Sequence, residues 1–223
     1  MWMPPSLGDI LESEGAEIVE TIVTIFRSTG QDQIKINPMR NRQLPPEAVS
    51  ARRLAFMSNR PSALASLRRN AGSLDGIIPE WLTLSQSGGL IRVDLDLYGE
   101  PIAQWVRTNA PHLVIIPTLT TRLSSAETVR ALAHPQTRAL IVSNILALVT
   151  RHDFDGLVLD LDDLSVSSNR PLAAFLQELG GPLRNEGRSL ILSTRIDGDL
   201  RYVQSIAPLV DCMLVQAHNQ NQS

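Results

Sequence analysis

Three features of the sequence predict an α/β fold built on parallel strands. Six short, nearly continuous apolar runs follow residue 50, and amphipathic stretches with helical spacing separate them. The units recur at roughly 30 residues, the length of a strand–helix–strand unit. Continuous apolarity, in place of strict alternation, marks strands buried on both faces, which requires helices to cover the sheet. The repeat fits a doubly wound open sheet and equally an incomplete (β/α)8 TIM-type barrel of about six units. Periodicity alone does not choose between them.

Before these units, apolar residues at Leu7, Ile10, Leu11, Ile18, Val19, Ile22, Val23, Ile25 and Phe26 have broadly helical spacing, weakened by Gly8 and Gly15. From Asn37 to Ser50 the chain turns polar, with Pro38, Pro45 and Pro46, and reads as a linker. The expected division is therefore an N-terminal helix and linker over residues 1–50 and the repeating α/β domain over 51–223.

Leu54 to Met57 is the first expected strand, followed by a helix near Ser62 to Asn70 with Ser62 as its N-cap. Gly76 to Leu84 is the second strand, ending before the Gly88-Gly89 turn. Arg92-Val93-Asp94-Leu95-Asp96 alternates like an edge strand with a solvated face. A helix around Pro101 to Asn109 leads into the apolar run His112 to Leu119. One long helix is expected from Ser124 to Thr150, opened by Ser124, Ser125 and Glu127 in the manner of a capping box. His134, placed before Pro135, marks a helical turn that stops or starts. Phe154 to Leu161, a helix near Pro171 to Asn185, Ser189 to Ile196, a helix near Leu200 to Ile206, and Cys212 to Ala217 complete the series.

Composition narrows the function classes. The 223 residues are 43% hydrophobic and 19% charged, a globular balance, and the net charge of −3 supplies no basic field for nucleic acid. Arginines at 40, 42, 52, 53, 60, 68 and 69 lack interleaved aromatic residues, so they read as solvated helix and linker positions. Cys212 is the single cysteine, which excludes an internal disulfide. No apolar run approaches the roughly 20 residues of a membrane span. Acidic residues at 9, 12, 14, 17 and 20 have the wrong sign for a secretory signal. The chain as it stands reads as cytoplasmic, and as extracytoplasmic if it is part of a longer membrane-anchored protein.

No glycine-rich phosphate loop follows the first strand, and no Gly-x-Ser-x-Gly elbow is present, so neither nucleotide binding nor Ser/His/Asp catalysis has a motif. His112, His134 and His152 lack ligand spacing, and no metal or cofactor is expected.

The segment richest in chemistry is Phe154-Asp155-Gly156-Leu157-Val158-Leu159-Asp160-Leu161-Asp162-Asp163-Leu164. Side chains alternate along a strand, so Val158, Asp160 and Asp162 share one face and Leu157, Leu159 and Leu161 the other. Two carboxylates at i and i+2 repel, and one tends to hold a proton near neutrality. A protonated carboxyl beside an ionised one is what glycosidic cleavage requires. The plainer reading makes these aspartates loop caps beyond the strand end. In parallel α/β folds the strand C-termini are where active sites gather, and that favours chemistry here.

This segment resembles the motif Asp-Gly-x-Asp-x-Asp-x-Glu on the fourth strand of the family 18 glycoside hydrolases. It resembles still more the family-18-like modules fused to polysaccharide deacetylase and glycosyltransferase domains in bacteria, which read similarly to Gly-Leu-Val-Ile-Asp-Phe-Glu-Asp. Gly156 to Asp163 match that pattern except at Leu159, Leu161 and Asp162. Ala65 to Arg69, Pro79 to Leu84, Ile116-Pro117 and His134-Pro135-x-x-Arg138 add to the likeness, which covers about residues 52 to 219. The resemblance selects the barrel over the open sheet, with the last units missing. It implies substrate-assisted, chitinase-like hydrolysis of an oligo- or polysaccharide containing N-acetylglucosamine, with deacetylase or glycosyltransferase modules as fused or associated partners.

In the family, the motif's last Glu protonates the glycosidic oxygen. The acidic residue two before it orients the substrate's N-acetyl group, whose carbonyl is the internal nucleophile. The resemblance therefore puts Asp162 at the acid position and Asp160 at its partner's. Asp is one methylene shorter than Glu, and misplacement on that scale costs about 100-fold in rate. Where the family has Met-x-Tyr-Asp on the sixth strand, this chain has Gln216-Ala217-His218-Asn219, which keeps polar groups but neither the phenol nor the carboxylate. Gln216, His218 and Asn219 are the expected sugar contacts there.

Trp81 is either a stacking platform for a pyranose or a core residue at an apolar strand end. Trp105, with Ile102 and Val106, reads as core, while Asp197 and Asp199 are either mouth residues or a turn. Two rival functions remain: a non-catalytic glycan-binding or scaffolding module, and an α/β domain whose aspartates hold a divalent cation with substrate phosphates.

Overall fold

The computed structural model describes residues 53–60, 62–85, 91–93, 99–161, 169–195 and 205–216. The expected N-terminal helix and linker lie outside these residues, as do Arg52 and most of the helix anticipated before Ile206.

Nine strands and five α-helices are seen among the described residues. In chain order they are β1 (Leu54–Met57), α1 (Ser62–Asn70), β2 (Gly76–Pro79), β3 (Leu82–Leu84), β4 (Ile91–Val93), α2 (Gly99–Asn109), β5 (Val114–Ile115), β6 (Thr118–Thr121), α3 (Ser125–Ala133), α4 (Pro135–Arg151), β7 (Gly156–Leu159), α5 (Asn169–Asn185), β8 (Ser189–Arg195) and β9 (Cys212–Gln216). β1, β2 and β5 pair in parallel, and β3, β6, β7, β8 and β9 do the same. β4 lies antiparallel on β3, the edge strand expected from its alternation.

β2 and β3 are one strand interrupted at Glu80-Trp81, and β5 and β6 are one strand interrupted at Ile116-Pro117. With each pair joined, six parallel strands stand side by side in the order of the chain. A doubly wound sheet reverses its order at a switch point, whereas a barrel does not. The consecutive order is therefore that of a barrel wall. No pairing between β1 and β9 closes it among the described residues.

Two apolar layers explain the continuous runs. Ile78, Val114, Ile116, Val158, Ile191 and Leu214 form an inner cluster, joined by the partly buried Leu54, Phe56 and Cys212. Their alternates, including Ile77, Ile115, Leu157, Leu159, Leu190 and Met213, face outward and pack with helix residues such as Ile102, Ile145 and Phe175. Every strand between the edges thus has apolar partners on both sides.

The N-terminal edge of the wall repeats one device. Asp75, Asp155 and Asp211 each precede a strand, and their Oδ2 atoms accept the backbone N–H of Arg53, Ile115 and Leu190 at 2.7, 2.9 and 2.8 Å. The backbone N–H of each aspartate donates to the carbonyl of that same residue, at 2.9 Å in all three cases. Each carboxylate thereby satisfies a donor that the ladder leaves open.

The single helix expected over Ser124 to Thr150 is two helices. A residue before proline is driven out of the α region, and His134 has ψ 114°. It ends α3 and caps α4, its imidazole accepting from the Thr137 N–H, while Pro135 opens the new helix. The Ser124–Glu127 capping box opens α3 as expected. Arg138 then bridges the break: it donates to the Leu132 carbonyl at 2.7 Å and pairs with Glu178 on α5 at 2.8 Å.

Candidate functional site

Following the inner face toward the C-terminal ends of the strands, the apolar layer gives way to polar residues. Ile78 is succeeded by Glu80, Ile116 by Thr118, Val158 by Asp160 and Ile191 by Ser193. The register supports these assignments, since Thr118 lies opposite Val158 and Leu159 opposite Leu192, which brings Asp160 beside Ser193. The Asp160 N–H donates to the Leu119 carbonyl at 3.0 Å, so the ladder still holds this residue as it leaves β7. Asp160 is half-buried at the mouth, where the alternation predicted it.

Glu80 shares that mouth. Its N–H donates to the Met57 carbonyl at 3.1 Å, anchoring it to the end of β1. Partial removal from water holds its carboxyl above the ordinary carboxylate range; the negative charge of Asp160 adds to the rise, and Arg60 opposes it. Glu80 is exposed as a residue and so is open to a ligand. Thr118, only 2% exposed, has a hydroxyl without a hydrogen-bond partner among the described residues. One step further out, the Thr83 and Thr120 hydroxyls lie 3.5 Å apart.

Trp81 corrects an expectation. The alternation slips at the interruption between β2 and β3: Trp81 and Leu82 both enter the outer cluster, and Thr83 pairs with Thr120. The indole is 1% exposed and packs on Phe154 with ring centroids 5.8 Å apart. A ring so enclosed has no face left for a pyranose, and Trp81 is core, as is the partly buried Trp105.

Of the other expected contacts, Gln216 is the last residue of β9, in register with Arg195. Asp162, His218 and Asn219 lie outside the described residues, as do Asp197 and Asp199. Cys212 sits low in the inner layer, where burial and then the Asp211 charge push its thiol up. That keeps the thiol protonated and removes it from nucleophilic chemistry.

No sequence motif marks Glu80 or Thr118 as a site residue. The signal was available: each stands two residues beyond an apolar inner-face residue, the same step that leads from Val158 to Asp160. It was hidden because neither lies in an acidic motif.

No protein-family model matches the chain, and no curated protein matches it. Solved structures do. A chitinase from Chromobacterium violaceum superposes with a TM-score of 0.66 at 16% identity, over 78% of this chain and 57% of that one. A class V chitinase from Pseudomonas fluorescens gives 0.62 at 20% identity, over 74% and 53%. A plant class V chitinase mutant from Cycas revoluta, in complex with (GlcNAc)3, gives 0.60 at 17% identity, over 74% and 55%. The chain spans just over half the length of these three proteins. At such identities the likeness is one of fold, and it agrees with the consecutive strand order.

Proposed function

We propose that this chain is a family-18-like glycan module that takes a polymer of N-acetylglucosamine at the C-terminal ends of its strands. The observation that carries this reading is Asp160, held at the inner face where β7 ends, in a fold shared with chitinases of which one is solved with (GlcNAc)3. Asp160 orients the N-acetyl group. The carbonyl oxygen of that group attacks the anomeric carbon as the glycosidic bond breaks, and the departing oxygen takes a proton from the carboxyl at the Asp162 position. Water then opens the cyclic intermediate and returns the proton.

The shortened acid and the Gln216 to Asn219 stretch favour a second reading, a module that holds the glycan without cleaving it. Titration with chitooligosaccharides, monitored for heat and for products, separates the two: binding with turnover supports the enzyme, and saturable binding without turnover supports the binding module. Asp160→Ala tests the site itself. It is expected to weaken acetylated oligomers and leave deacetylated ones nearly unchanged, the loss being that of a hydrogen bond to a charged group, about 1.5 to 3 kcal/mol. Equal loss for both ligands removes the N-acetyl assignment.

A further inference from the structure

Glu80 lies at the break between β2 and β3, Thr118 opens β6 opposite the inner-layer Val158, and Asp160 follows β7, on three successive strands of the wall. The Thr118 hydroxyl is buried and without a partner among the described residues, although buried polar groups are nearly always satisfied. A ligand oxygen is a fitting partner for it. Glu80 stands on the neighbouring strand and within the field of Asp160. We infer that Glu80 and Thr118 form, beside Asp160, a subsite that binds a hydroxyl of a neutral sugar ring. This rests on the reading of the mouth as a site for N-acetylglucosamine oligomers.

The chemistry follows from the proton. A carboxyl that keeps its proton both donates and accepts, as a sugar hydroxyl does, whereas a carboxylate only accepts. Glu80 has the raised pKa, through burial first and Asp160 second, with Arg60 as the opposing charge. The form that donates to the sugar is present below that pKa and is lost as pH rises through it. Affinity therefore falls with rising pH. Asp160→Asn removes the repelling charge, lowers the pKa of Glu80 and moves the midpoint of the fall to lower pH.

The test is calorimetric titration of the full chain with chitotriose across pH, using wild type, Glu80→Gln and Thr118→Val. Glu80→Gln retains a donor and an acceptor but cannot titrate, so it should bind as wild type does at low pH and stay flat where wild type declines several-fold. Thr118→Val removes a hydroxyl that has no partner among the described residues, so it should melt no lower than wild type yet bind several-fold more weakly. A Glu80→Gln variant that keeps the wild-type pH profile, or a Thr118→Val variant that binds as wild type, overturns the subsite. If those variants behave as wild type while Asp160→Ala loses its preference for acetylated oligomers, the subsite falls and the glycan reading stands. If wild type does not bind chitotriose at all, both fall.

Discussion

Gly156 approaches Ser189 so closely that a Cβ on it would stand 2.4 Å from the Ser189 carbonyl oxygen and 3.0 Å from the Ser189 nitrogen. The two residues open β7 and β8 in register, and the atoms in the way are backbone, which cannot swing aside. Glycine is demanded here by the approach of one strand to the next. Gly156→Ala should cost at least the about 1 to 3 kcal/mol of an overpacked core. Urea unfolding measures it. Gly76 offers a comparison: a Cβ there meets the Val114 side chain at 2.4 Å and its carbonyl oxygen at 2.9 Å, so part of that clash lies with a side chain that can move. Gly156→Ala should be the more damaging of the two.

Asp155 and Asp160 belong to one short motif but serve opposite ends of the same strand. Asp155 accepts the Ile115 N–H at the N-terminal edge, far from the mouth. Asp155→Ala should lower stability by about 1.5 to 3 kcal/mol, the worth of a hydrogen bond to a charged group, and leave glycan affinity unchanged once folded. Asp160→Ala should lower glycan affinity. Denaturation and titration on both variants make the comparison, and parallel losses would contradict the division.

That division shows where the sequence was legible. The strands between the edges could be read because both of their faces are buried, so their apolarity is continuous; Val158 and Leu159 enter different clusters and both are apolar. Asp160 could be placed because alternation is local. The choice between sheet and barrel could not be made from periodicity, since strand order depends on which distant runs pair. Trp81 is ambiguous because an indole at a strand end suits either layer; alternation from Ile77 puts it on the outer side, and the slip that follows turns Leu82 outward as well, since a one-residue slip exchanges the faces of a strand. The break at His134 was marked by Pro135, but the periodicity on either side ran through it. The roles of Asp75, Asp155 and Asp211 had no signal beyond their position before an apolar run.

Arg138 joins α3, α4 and α5, and its pairing with Glu178 has a pH signature. The Arg138 hydrogen bond holds the Glu178 carboxyl below its ordinary range. A depressed carboxylate contributes stability that is present above the unfolded pKa, about 4.3, and is lost as pH falls through the folded value. The pair is partly exposed and worth about 1 kcal/mol or less. Arg138→Ala should therefore be less stable than wild type at neutral pH, with the gap narrowing in acid. A residue of the gap should persist, because the bond to the Leu132 carbonyl does not titrate. Urea midpoints at neutral and acidic pH check this.

The last expectation concerns Asp162, which under the proposed function is an acid one methylene short. Asp162→Glu restores the length and carries the carboxyl outward from the strand end. If the site still holds its glycan, this variant should release a fluorescent leaving group from a chitooligosaccharide faster than wild type. The gain should grow when Gln216→Met, His218→Tyr and Asn219→Asp are added, because groups acting on one transition state are not additive. Wild type, single variant and quadruple variant are compared after each is shown to be folded and to bind the sugar. A quadruple variant that binds yet hydrolyses no faster than wild type would leave the glycan-binding module as the reading, with Asp160 as its anchor and no acid to restore.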